Sequence, residues 1–590
     1  MAAVASTPSR RSIAVAVASR FPILDWGRRY DRKLLRPDLI AGVTVAAFAI
    51  PEDVAYASLA GLEPQHALYA NLIALLVYAV MGTSRQLSYS VTSALSIMVA
   101  GTLGTMAFSS PDQYAAAAAM VAVMSGIMAL LAGVFRIGFI VNFVSESVLT
   151  GFSAGAALYI AASQISKLFG IEGVQGNFFA RIWNVVEHIG DTNGWTLALG
   201  AISIVALLAL EEYVPKLPGS LIVTAIAITV MWTSNLESRG VDVAGAIPGG
   251  LPAPAWPSVG AEHLNDLVIL AFGVFLLSYV EGVGAARTFA VRHKYEIDAN
   301  QELYANGGAN LVSGLMQGYS VGGSMSRSAV SDANGARTPL AGLFAAMVLA
   351  IVLLFLTEPF THLPETTLAA IVIVAVKGLI DIPALKRLLR ISKPDFIAAA
   401  LTMLGVLTFG MLEGIIIGVL FSFLAVLKRV SLPNSSLLGL RPGTTDFVDV
   451  ERNPDVEVSP DILVFRPNAG LFYANMPVVK DDLIRIIDSR ETPPAVVVID
   501  LASAPNVDLG TAESLAELAD ELRAKGIALR FASVYGEVHD FLVKAGYAEQ
   551  LGPIFPNESV AEVLERWRAT PAASPAAAPA ADPETPGAAS

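Results

Sequence analysis

Long apolar runs recur along the chain and limit what it can fold into. Examples are LIALLVYAVMG, AISIVALLAL, LIVTAIAITVMW and LAGLFAAMVLAIVLLFL, which approach the roughly 20 residues that an α-helix needs to cross a bilayer. With 54% hydrophobic residues, 15% charged residues and a mean hydropathy of +0.60, the chain is far more apolar than an ordinary soluble protein. We therefore expect an α-helical polytopic membrane protein.

Acidic charge is concentrated in the last part of the chain. From Arg441 to Ser590 there are 24 acidic and 12 basic residues, so this segment carries −12 of the total charge of −13. The preceding 440 residues, with 27 acids and 26 bases, are nearly neutral. The acidity therefore belongs to a separate C-terminal domain and does not indicate a basic ligand.

The composition disfavours an enzyme. The chain has no Cys, which excludes a disulfide framework, a thiolate metal site and a cysteine nucleophile. Its six His are scattered without the spacing of metal ligands, and GVGAAR departs from the GxGxxG dinucleotide pattern at its last position. We expect no catalytic residues, no metal, no cofactor and no nucleic-acid partner.

Hydropathy predicts fourteen membrane spans in two sets of seven. The first seven lie near residues 38–60, 66–82, 91–107, 113–135, 138–168, 195–212 and 219–235. The second seven lie near residues 265–290, 299–315, 324–334, 338–358, 365–381, 394–411 and 412–430. We therefore predict a transmembrane domain over residues 37–431, with repeats at about 38–235 and 262–430.

The distribution of basic residues predicts which side of the membrane each loop faces. Residues 1–36 are rich in Arg, and although RRSIAVAVAS has features of an export signal, its apolar core is short and Arg20 follows at once. With this segment in the cytoplasm, basic residues fall in the inner loops, as the positive-inside rule requires. The bases of these loops are Arg85, Arg136, Lys216, Arg292, Lys294, Arg337, Lys386, Arg387, Arg390 and Lys393. Arg181 and Arg239, in predicted outer loops, are exceptions. We expect a multi-pass protein of the cell membrane with both termini in the cytoplasm.

Two of the predicted spans are too short for ordinary membrane helices, and they occupy corresponding places in the two repeats. The third opens as SYSVTSALSIMVAG, with Thr92 and Ser93 at its start, and the tenth opens as VGGSMSRSAVSDANG, with Ser324, Ser326 and Arg327. Short, Gly-interrupted segments at matching positions indicate a transporter site near the bilayer midplane. Helix N-termini present unpaired N–H groups and a positive dipole end, so two facing N-termini beside an arginine would bind an anion. The alternative is that small residues only permit close packing and that Arg327 pairs with a structural carboxylate.

Acidic residues inside predicted spans are candidates for ion coupling. Glu52 and Asp53 follow Pro51 in IPEDVAYA, and the proline is expected to break the first helix there. Glu281 lies at the corresponding place in the eighth span. An intramembrane acid most often relays protons or cations, which makes Glu281 and Glu52 the stronger candidates and Asp53 the weaker one. The alternative for Glu281 is an ion pair with a base of an inner loop.

Several long motifs resemble the SulP family of anion transporters. They are DLIAGVTVAAFAIPEDVAYASLAGLEPQHALYANLIALLVYAVMGTSRQLS (38–88), IDANQEL (297–303) and GGSMSRSAVSDANGARTPLAG (322–342). The resemblance extends from about Leu35 to Arg568. It implies seven plus seven spans in an inverted repeat, divided into a mobile core and a gate domain, with homodimerisation.

The resemblance also implies a site and a function. It places the anion between the third and tenth half-helices, at positions that correspond to Tyr56, Thr92, Ser324, Met325, Ser326 and Arg327, with Ser93 beside them. Glu281 matches the acid linked to proton coupling in plant-like members. The implied function is secondary active transport of a small inorganic anion, with sulfate first, by alternating access coupled to H⁺ or Na⁺. A bicarbonate or dicarboxylate transporter and an anion exchanger or channel remain alternatives, because the same donors suit all these anions.

The C-terminal domain is predicted to be an α/β module over residues 441–568. Strand-like runs at 462–476, 495–501 and 527–534 alternate with helical patterns at 477–489, 510–526 and 536–546. It resembles the STAS domain of SulP transporters, which is related to anti-sigma-factor antagonists. Gly510 occupies the position of their phosphorylated residue and Thr511 follows it, so a scaffold that aids folding, dimerisation or trafficking is favoured over a phospho-switch. A cytoplasmic protein partner of this domain is a further expectation. Residues 569–590 form an Ala/Pro tail typical of disorder.

Overall fold

The computed structural model describes residues 20–139, 145–174, 176–214, 217–245 and 247–569. The chain divides into two compact units, one ending at Phe423 and the other beginning at Leu424. Most of the basic segment 1–36, the inner-loop residue Lys216 and all but the first residue of the tail 569–590 lie outside the described residues.

Where the structure describes the first predicted repeat, it contains eight α-helices and one short strand. These are α1 (Leu35–Ala60), α2 (Pro64–Met81), β1 (Ser88–Ser90), α3 (Ser93–Leu103), α4 (Pro111–Val134), α5 (Glu146–Phe169), α6 (Phe178–Glu187), α7 (Gly194–Tyr213) and α8 (Gly219–Ser234). A four-residue helix, Ile23–Trp26, precedes them. In α2, α4, α5, α7 and α8 the helix bounds agree with the predicted spans to within a few residues wherever the chain is described.

The second predicted repeat follows the same order. It consists of α9 (Leu264–His293), α10 (Ala299–Leu315), β2 (Gly322–Ser324), α11 (Met325–Ala333), α12 (Leu340–Phe355), α13 (Glu365–Lys377), α14 (Ile382–Ile391), α15 (Lys393–Phe409) and α16 (Met411–Ser431). Among the described residues, eight helical segments have the length and apolar composition to cross a membrane, and α3, α8 and α12 are shorter apolar helices.

The proline in the first span does not break its helix, contrary to the expectation from sequence. Helix α1 runs from Leu35 through Pro51 to Ala60. Proline removes one backbone donor, but neighbouring helices can support the turn that loses it. Pro51 is buried, and α1 packs against α2, α3 and α12, so tertiary packing keeps the helix continuous.

The two short strands place the starts of α3 and α11 next to each other. β1 and β2 pair in antiparallel register, with Ser88 opposite Ser324 and Ser90 opposite Gly322. The paired strands also lie against α9, because a Cβ atom on Gly323 would lie only 2.5 Å from the Cα atom of Gly282. Glycine at position 323 therefore permits the close approach that brings both half-helices to α9.

The C-terminal unit contains a five-stranded sheet in the order β4-β3-β5-β6-β7. Its strands are β3 (Ser435–Leu440), β4 (Phe447–Asp449), β5 (Ile462–Pro467), β6 (Val496–Asp500) and β7 (Ala528–Ala532). Its helices are α17 (Met476–Asp488), α18 (Leu509–Ala524), α19 (Gly536–Ala545) and α20 (Val560–Ala569), with a four-residue helix at Ala548–Leu551. The parallel strands β5, β6 and β7 and the helices α17, α18 and α19 were predicted, whereas the antiparallel strands β3 and β4 were not.

Candidate functional site

Each of the two short helices begins with a hydroxyl cap. The Thr92 hydroxyl accepts a hydrogen bond from the N–H of Leu95, and the Ser324 hydroxyl accepts one from the N–H of Arg327. Both cap residues have extended backbone conformations, which is typical of an N-cap. The N–H groups of the first two residues of each helix have no partner within the helix, so they remain able to bind an anion.

Residues from the first span join the two helix starts. The hydroxyl of Tyr56 lies close to that of Ser93. The Arg327 guanidinium lies over the Tyr56 ring, 5.6 Å from its centroid. The hydroxyls of Ser324 and Ser326 are 3.2 Å apart. Five of the seven residues predicted to bind substrate are therefore in contact through side chains or helix capping, and Thr92 precedes Ser93 directly.

Arg327 is buried and carries two acidic partners. Its side chain is 2% exposed, with Nε 2.9 Å from the Glu52 carboxylate and a terminal nitrogen 2.8 Å from that of Asp53. Asp53 is fully buried and also accepts a hydrogen bond from the Asn71 amide at 2.5 Å. A buried charge needs such partners, because leaving it unpaired in a low-dielectric interior is costly. This geometry agrees with the alternative given in the sequence analysis, in which Arg327 pairs with structural carboxylates.

Charge within the cluster is unbalanced. With both carboxyls ionised, Glu52, Asp53 and Arg327 sum to −1. The second terminal nitrogen of Arg327 is buried and has no hydrogen-bond partner among the described residues. Arginine presents five N–H donors in a planar fork, so this cluster retains donors for a further acceptor.

Glu281 lies in α9, beside the start of α3. Its carboxyl group lies close to the Thr92 hydroxyl. No base among the described residues forms an ion pair with it, so the alternative of an inner-loop partner does not apply to these residues. The next residue, Gly282, contacts Gly323 of β2 as described above. Glu281 therefore sits where the two half-helices and α9 meet.

A cavity of about 340 Å³ reaches this cluster from one side. Glu52, Ser326 and Arg327 line it on one wall, and α7, α8 and α13 form the other. Residues of the second wall include Leu207, Glu211, Ser220, Ile371 and Val374. These lie towards the end of the bundle at which α1 begins, so the cavity connects the cluster to that side.

The structure adds residues to this cluster that the sequence analysis did not place beside Arg327. Asp53 was the weaker candidate but contacts Arg327 as closely as Glu52 does. Asn71 and the cavity residues of α7, α8 and α13 were not singled out. Met325 was predicted to bind substrate, but it is 45% exposed, and in the described part of the chain its side chain forms no hydrogen bond or ring contact with the other site residues. Two adjacent acids within a predicted span could have indicated that Asp53 belongs to the cluster. No sequence pattern indicated Asn71.

Comparison with known proteins shows which family the chain belongs to. The model of the sulfate permease family matches residues 35–402, and that of the STAS domain matches residues 453–561. A probable sulfate transporter of Mycobacterium tuberculosis is 35% identical over 527 residues, which cover 89% of this chain and 94% of that protein. The chain belongs to the sulfate permease family. The resemblance to SulP transporters with a STAS domain is thereby confirmed.

The chain is also similar in sequence to plant proteins and in fold to a solved animal structure. Sulfate transporter 4.1 of Arabidopsis thaliana, a chloroplastic protein, is 30% identical over 558 residues, covering 90% of this chain and 80% of that one. The murine anion transporter solute carrier 26 family member A9, in its inward-facing state, aligns with a TM-score of 0.87 at 21% identity over 96% of both chains. The predicted fold class, a helical membrane transporter with a STAS domain, is therefore confirmed. The members compared are transporters and not enzymes.

Proposed function

We propose that the protein is a secondary active transporter of a small inorganic anion, with sulfate as the first candidate. The observation that carries this proposal is the meeting of two capped helix N-termini, at Thr92 and Ser324, beside the buried guanidinium of Arg327. Such N-termini favour anions through free N–H groups and through the helix dipole. The names of its sulfate-transporting relatives support sulfate over bicarbonate and dicarboxylates.

Coupling to a cation follows from the charge of the cluster. Glu52, Asp53 and Glu281 outnumber Arg327, so an anion that enters with all three carboxyls ionised meets net negative charge. A proton on one carboxyl, or a sodium ion beside it, would reduce this repulsion. We assign this role to Glu281 and Glu52, with Glu281 closest to the helix cap at Thr92.

Transport would proceed by alternating access. The cluster lies on α1, α3, α9 and α11, whereas the facing wall of the cavity belongs to α7, α8 and α13. Movement of the first group against the second would carry the anion from one side of the membrane to the other. Within this scheme we place both termini in the cytoplasm of a cell-membrane homodimer, with the STAS domain as a scaffold for a cytoplasmic protein partner. The domain limits 37–431 and 441–568 remain part of the proposal.

Uptake into proteoliposomes tests this function. Purified protein should accumulate radiolabelled sulfate above its equilibrium level when an inward proton or sodium gradient is imposed. Bicarbonate and dicarboxylates should compete less well than unlabelled sulfate. If sulfate only reaches electrochemical equilibrium, the protein is a channel. If bicarbonate competes more strongly than unlabelled sulfate, bicarbonate and not sulfate is the preferred substrate.

A further inference from the structure

A second cavity lies at the C-terminal end of the half-helix α3, whereas the cluster around Arg327 lies at its N-terminal end. Its volume is about 370 Å³. It is lined by the far end of α3, by α5, by the start of α6 and by the turn between α15 and α16. These parts lie at the end of the bundle where α1 finishes, so this cavity and the one at Arg327 approach α3 from opposite ends of the bundle.

Arg181 is the positively charged residue of this cavity. Its side chain is 91% buried, since only 9% remains exposed. The guanidinium stacks on the Tyr159 ring, 4.6 Å from the centroid, and Nε donates to the Gly176 carbonyl at 3.0 Å. No carboxylate of the described residues forms an ion pair with it, and the N–H groups of its two terminal nitrogens have no recorded partner in that part of the chain. A buried arginine with spare donors is the kind of group that binds an anion.

The other polar groups of the cavity leave Arg181 as the principal donor. The Tyr159 hydroxyl donates to Gly176, the Asn177 amide donates to the Thr408 carbonyl, and the Thr105 hydroxyl donates to the Thr102 carbonyl. Glu413, on the turn between α15 and α16, is the acidic residue of the lining. Its carboxylate opposes an anion, but it is exposed to solvent whereas Arg181 is not.

The cavity is close to the proposed transport site. Ile97 and Met98 of α3 line it, and Thr92 caps the same helix. Five residues of α-helix rise about 7.5 Å, so the cavity begins within roughly that distance of the cap. The cavity that contains Arg181 and the proposed transport site therefore share helix α3.

We propose that Arg181 forms a second, outer binding site for small inorganic oxyanions, which concentrates them before they reach the site between α3 and α11. The inference rests on the proposed function, because an outer site that concentrates anions serves a protein that transports them. It also explains why an outer loop carries an arginine against the positive-inside rule. The ligand class is a compact mono- or divalent anion, because the guanidinium fork matches a planar pair of oxygens.

The absence of Cys in the native chain allows a test that does not depend on transport. A single thiol introduced by Thr105→Cys, at an exposed position of the cavity, is modified with membrane-impermeant methanethiosulfonates that carry either a sulfonate or a trimethylammonium group. The ratio of the two rates reports the local potential. In the full-length protein in liposomes, adding Arg181→Gln should lower the sulfonate-to-ammonium ratio by about fivefold. Inorganic sulfate should slow modification only while Arg181 is present.

Two variants serve as controls for this experiment. Arg181→Lys keeps the charge and should keep most of the rate ratio, which separates charge from a loss of folding. Glu413→Gln removes the opposing charge and should raise the ratio. An unchanged ratio in Arg181→Gln, or equal protection by sulfate with and without the arginine, would overturn the outer site.

Uptake measurements separate failure of this inference from failure of the proposed function. If the protein transports sulfate, Arg181→Gln should raise the KM for outside sulfate several-fold at low ionic strength and leave the maximal rate unchanged, with a smaller effect at high salt. A wild-type protein that transports no anion would refute the proposed function whatever the thiol rates are. Normal transport with an unchanged KM in Arg181→Gln would refute the outer site alone.

Discussion

At the scale of single residues, the buried arginine has two competing roles. Arg327 is held by Glu52 and Asp53 at 2.9 and 2.8 Å, yet it also has to bind an anion in the proposed mechanism. Removing one member of a buried ion cluster typically costs about 3–5 kcal/mol, because the remaining charge loses its partner. The same group therefore contributes to folding and to binding, and variants must be tested for both.

Substituting Arg327 should abolish binding and lower stability together. In Arg327→Gln, two carboxylates lose their cation, and we expect sulfate uptake to disappear and the melting temperature of the purified protein to fall by several degrees. Arg327→Lys keeps the charge but loses the planar fork, so uptake should be only partly restored. Both effects are measured by radiolabelled uptake and by thermal unfolding in detergent.

A surface arginine provides the matched control for that variant. Arg292 pairs with Asp332 at 2.8 Å, but its side chain is 63% exposed. Exposed pairs contribute about 0.2–1 kcal/mol, so Arg292→Gln should leave uptake and melting almost unchanged. Sulfate uptake by Arg327→Gln at the wild-type rate would remove this arginine from the site.

Substituting Glu281 should separate coupling from binding. Glu281→Gln keeps a similar shape and a polar oxygen beside Thr92 but cannot bind a proton. We expect accumulation driven by a pH gradient to fall by about tenfold or more, whereas exchange of sulfate for sulfate continues. Asp266→Asn, an exposed acid on the same helix, is the control and should change neither measurement. Undiminished gradient-driven uptake by Glu281→Gln would exclude Glu281 from coupling.

Sequence alone predicted the residue types of the site better than their partners. The hydroxyls at Thr92 and Ser324 and the charge of Arg327 were expected because they occur in short apolar segments where polarity is costly. The contact of Arg327 with both Glu52 and Asp53 could not be predicted, since adjacent residues on a helix point in different directions. The acid that faces a distant arginine depends on how α1 is rotated against α11.

At the scale of elements, the N-caps make a specific prediction. Thr92→Ala removes the cap of α3 and the hydroxyl beside Glu281, so it should raise the KM for sulfate and destabilise the protein by about 1 kcal/mol. Thr92→Ser should behave like the wild type. Ser110→Ala removes the corresponding cap of α4 at an exposed position and should reduce stability alone. An unchanged KM in Thr92→Ala would show that this cap does not take part in binding.

The close approach of β2 to α9 can be tested with a single methyl group. Gly323→Ala would place its Cβ atom 2.5 Å from the Cα atom of Gly282, which forces the strand and the helix apart. We expect lower melting temperature and impaired uptake. At Gly284, on the same helix, nothing lies within 4 Å of an added Cβ atom, so Gly284→Ala should be neutral or slightly stabilising. Equal behaviour of the two variants would contradict the packing.

The helices were predictable from hydropathy, but the short strands were not. Segments of about 20 apolar residues have few alternatives in a membrane, so spans such as α4 and α7 matched their predicted limits. The strands β1 and β2 contain three residues each and are stabilised by pairing with each other, which no local pattern indicates. Pro51 is the opposite case. The proline predicted a break in α1, but packing against neighbouring helices keeps the helix continuous.

At the scale of the whole molecule, one lysine links the group of helices that carries the site to the opposite wall. Lys167 of α5 lies 2.6 Å from the Ser58 hydroxyl of α1 and 3.1 Å from the Glu365 carboxylate of α13. Helix α5 packs against α13 and α15, whereas α1 carries Glu52 and Asp53. The contact joins the two groups at the end of the bundle opposite to the cavity at Arg327.

Removing this link should shift the balance between the two open forms of the transporter. Pairs of this exposure contribute about 0.2–1 kcal/mol, so Lys167→Met should change the populations by up to about fivefold. We expect faster thiol modification at Thr105→Cys and slower modification at Ser220→Cys. Lys377→Met, which breaks an exposed pair with Glu211 between α13 and α7, is the control. Identical thiol rates in Lys167→Met and the wild type would contradict the role of the link.

The most direct test of the account is to locate an anion by anomalous scattering. Crystals of the full-length protein grown with selenate, a close analogue of sulfate, should show a selenium peak between the N-termini of α3 and α11, within hydrogen-bond distance of N–H groups that follow Thr92 and Ser324 and adjacent to Arg327. A fully bound selenate located elsewhere, with Arg327 still paired to Glu52 and Asp53 and no peak between the two helices, would contradict it.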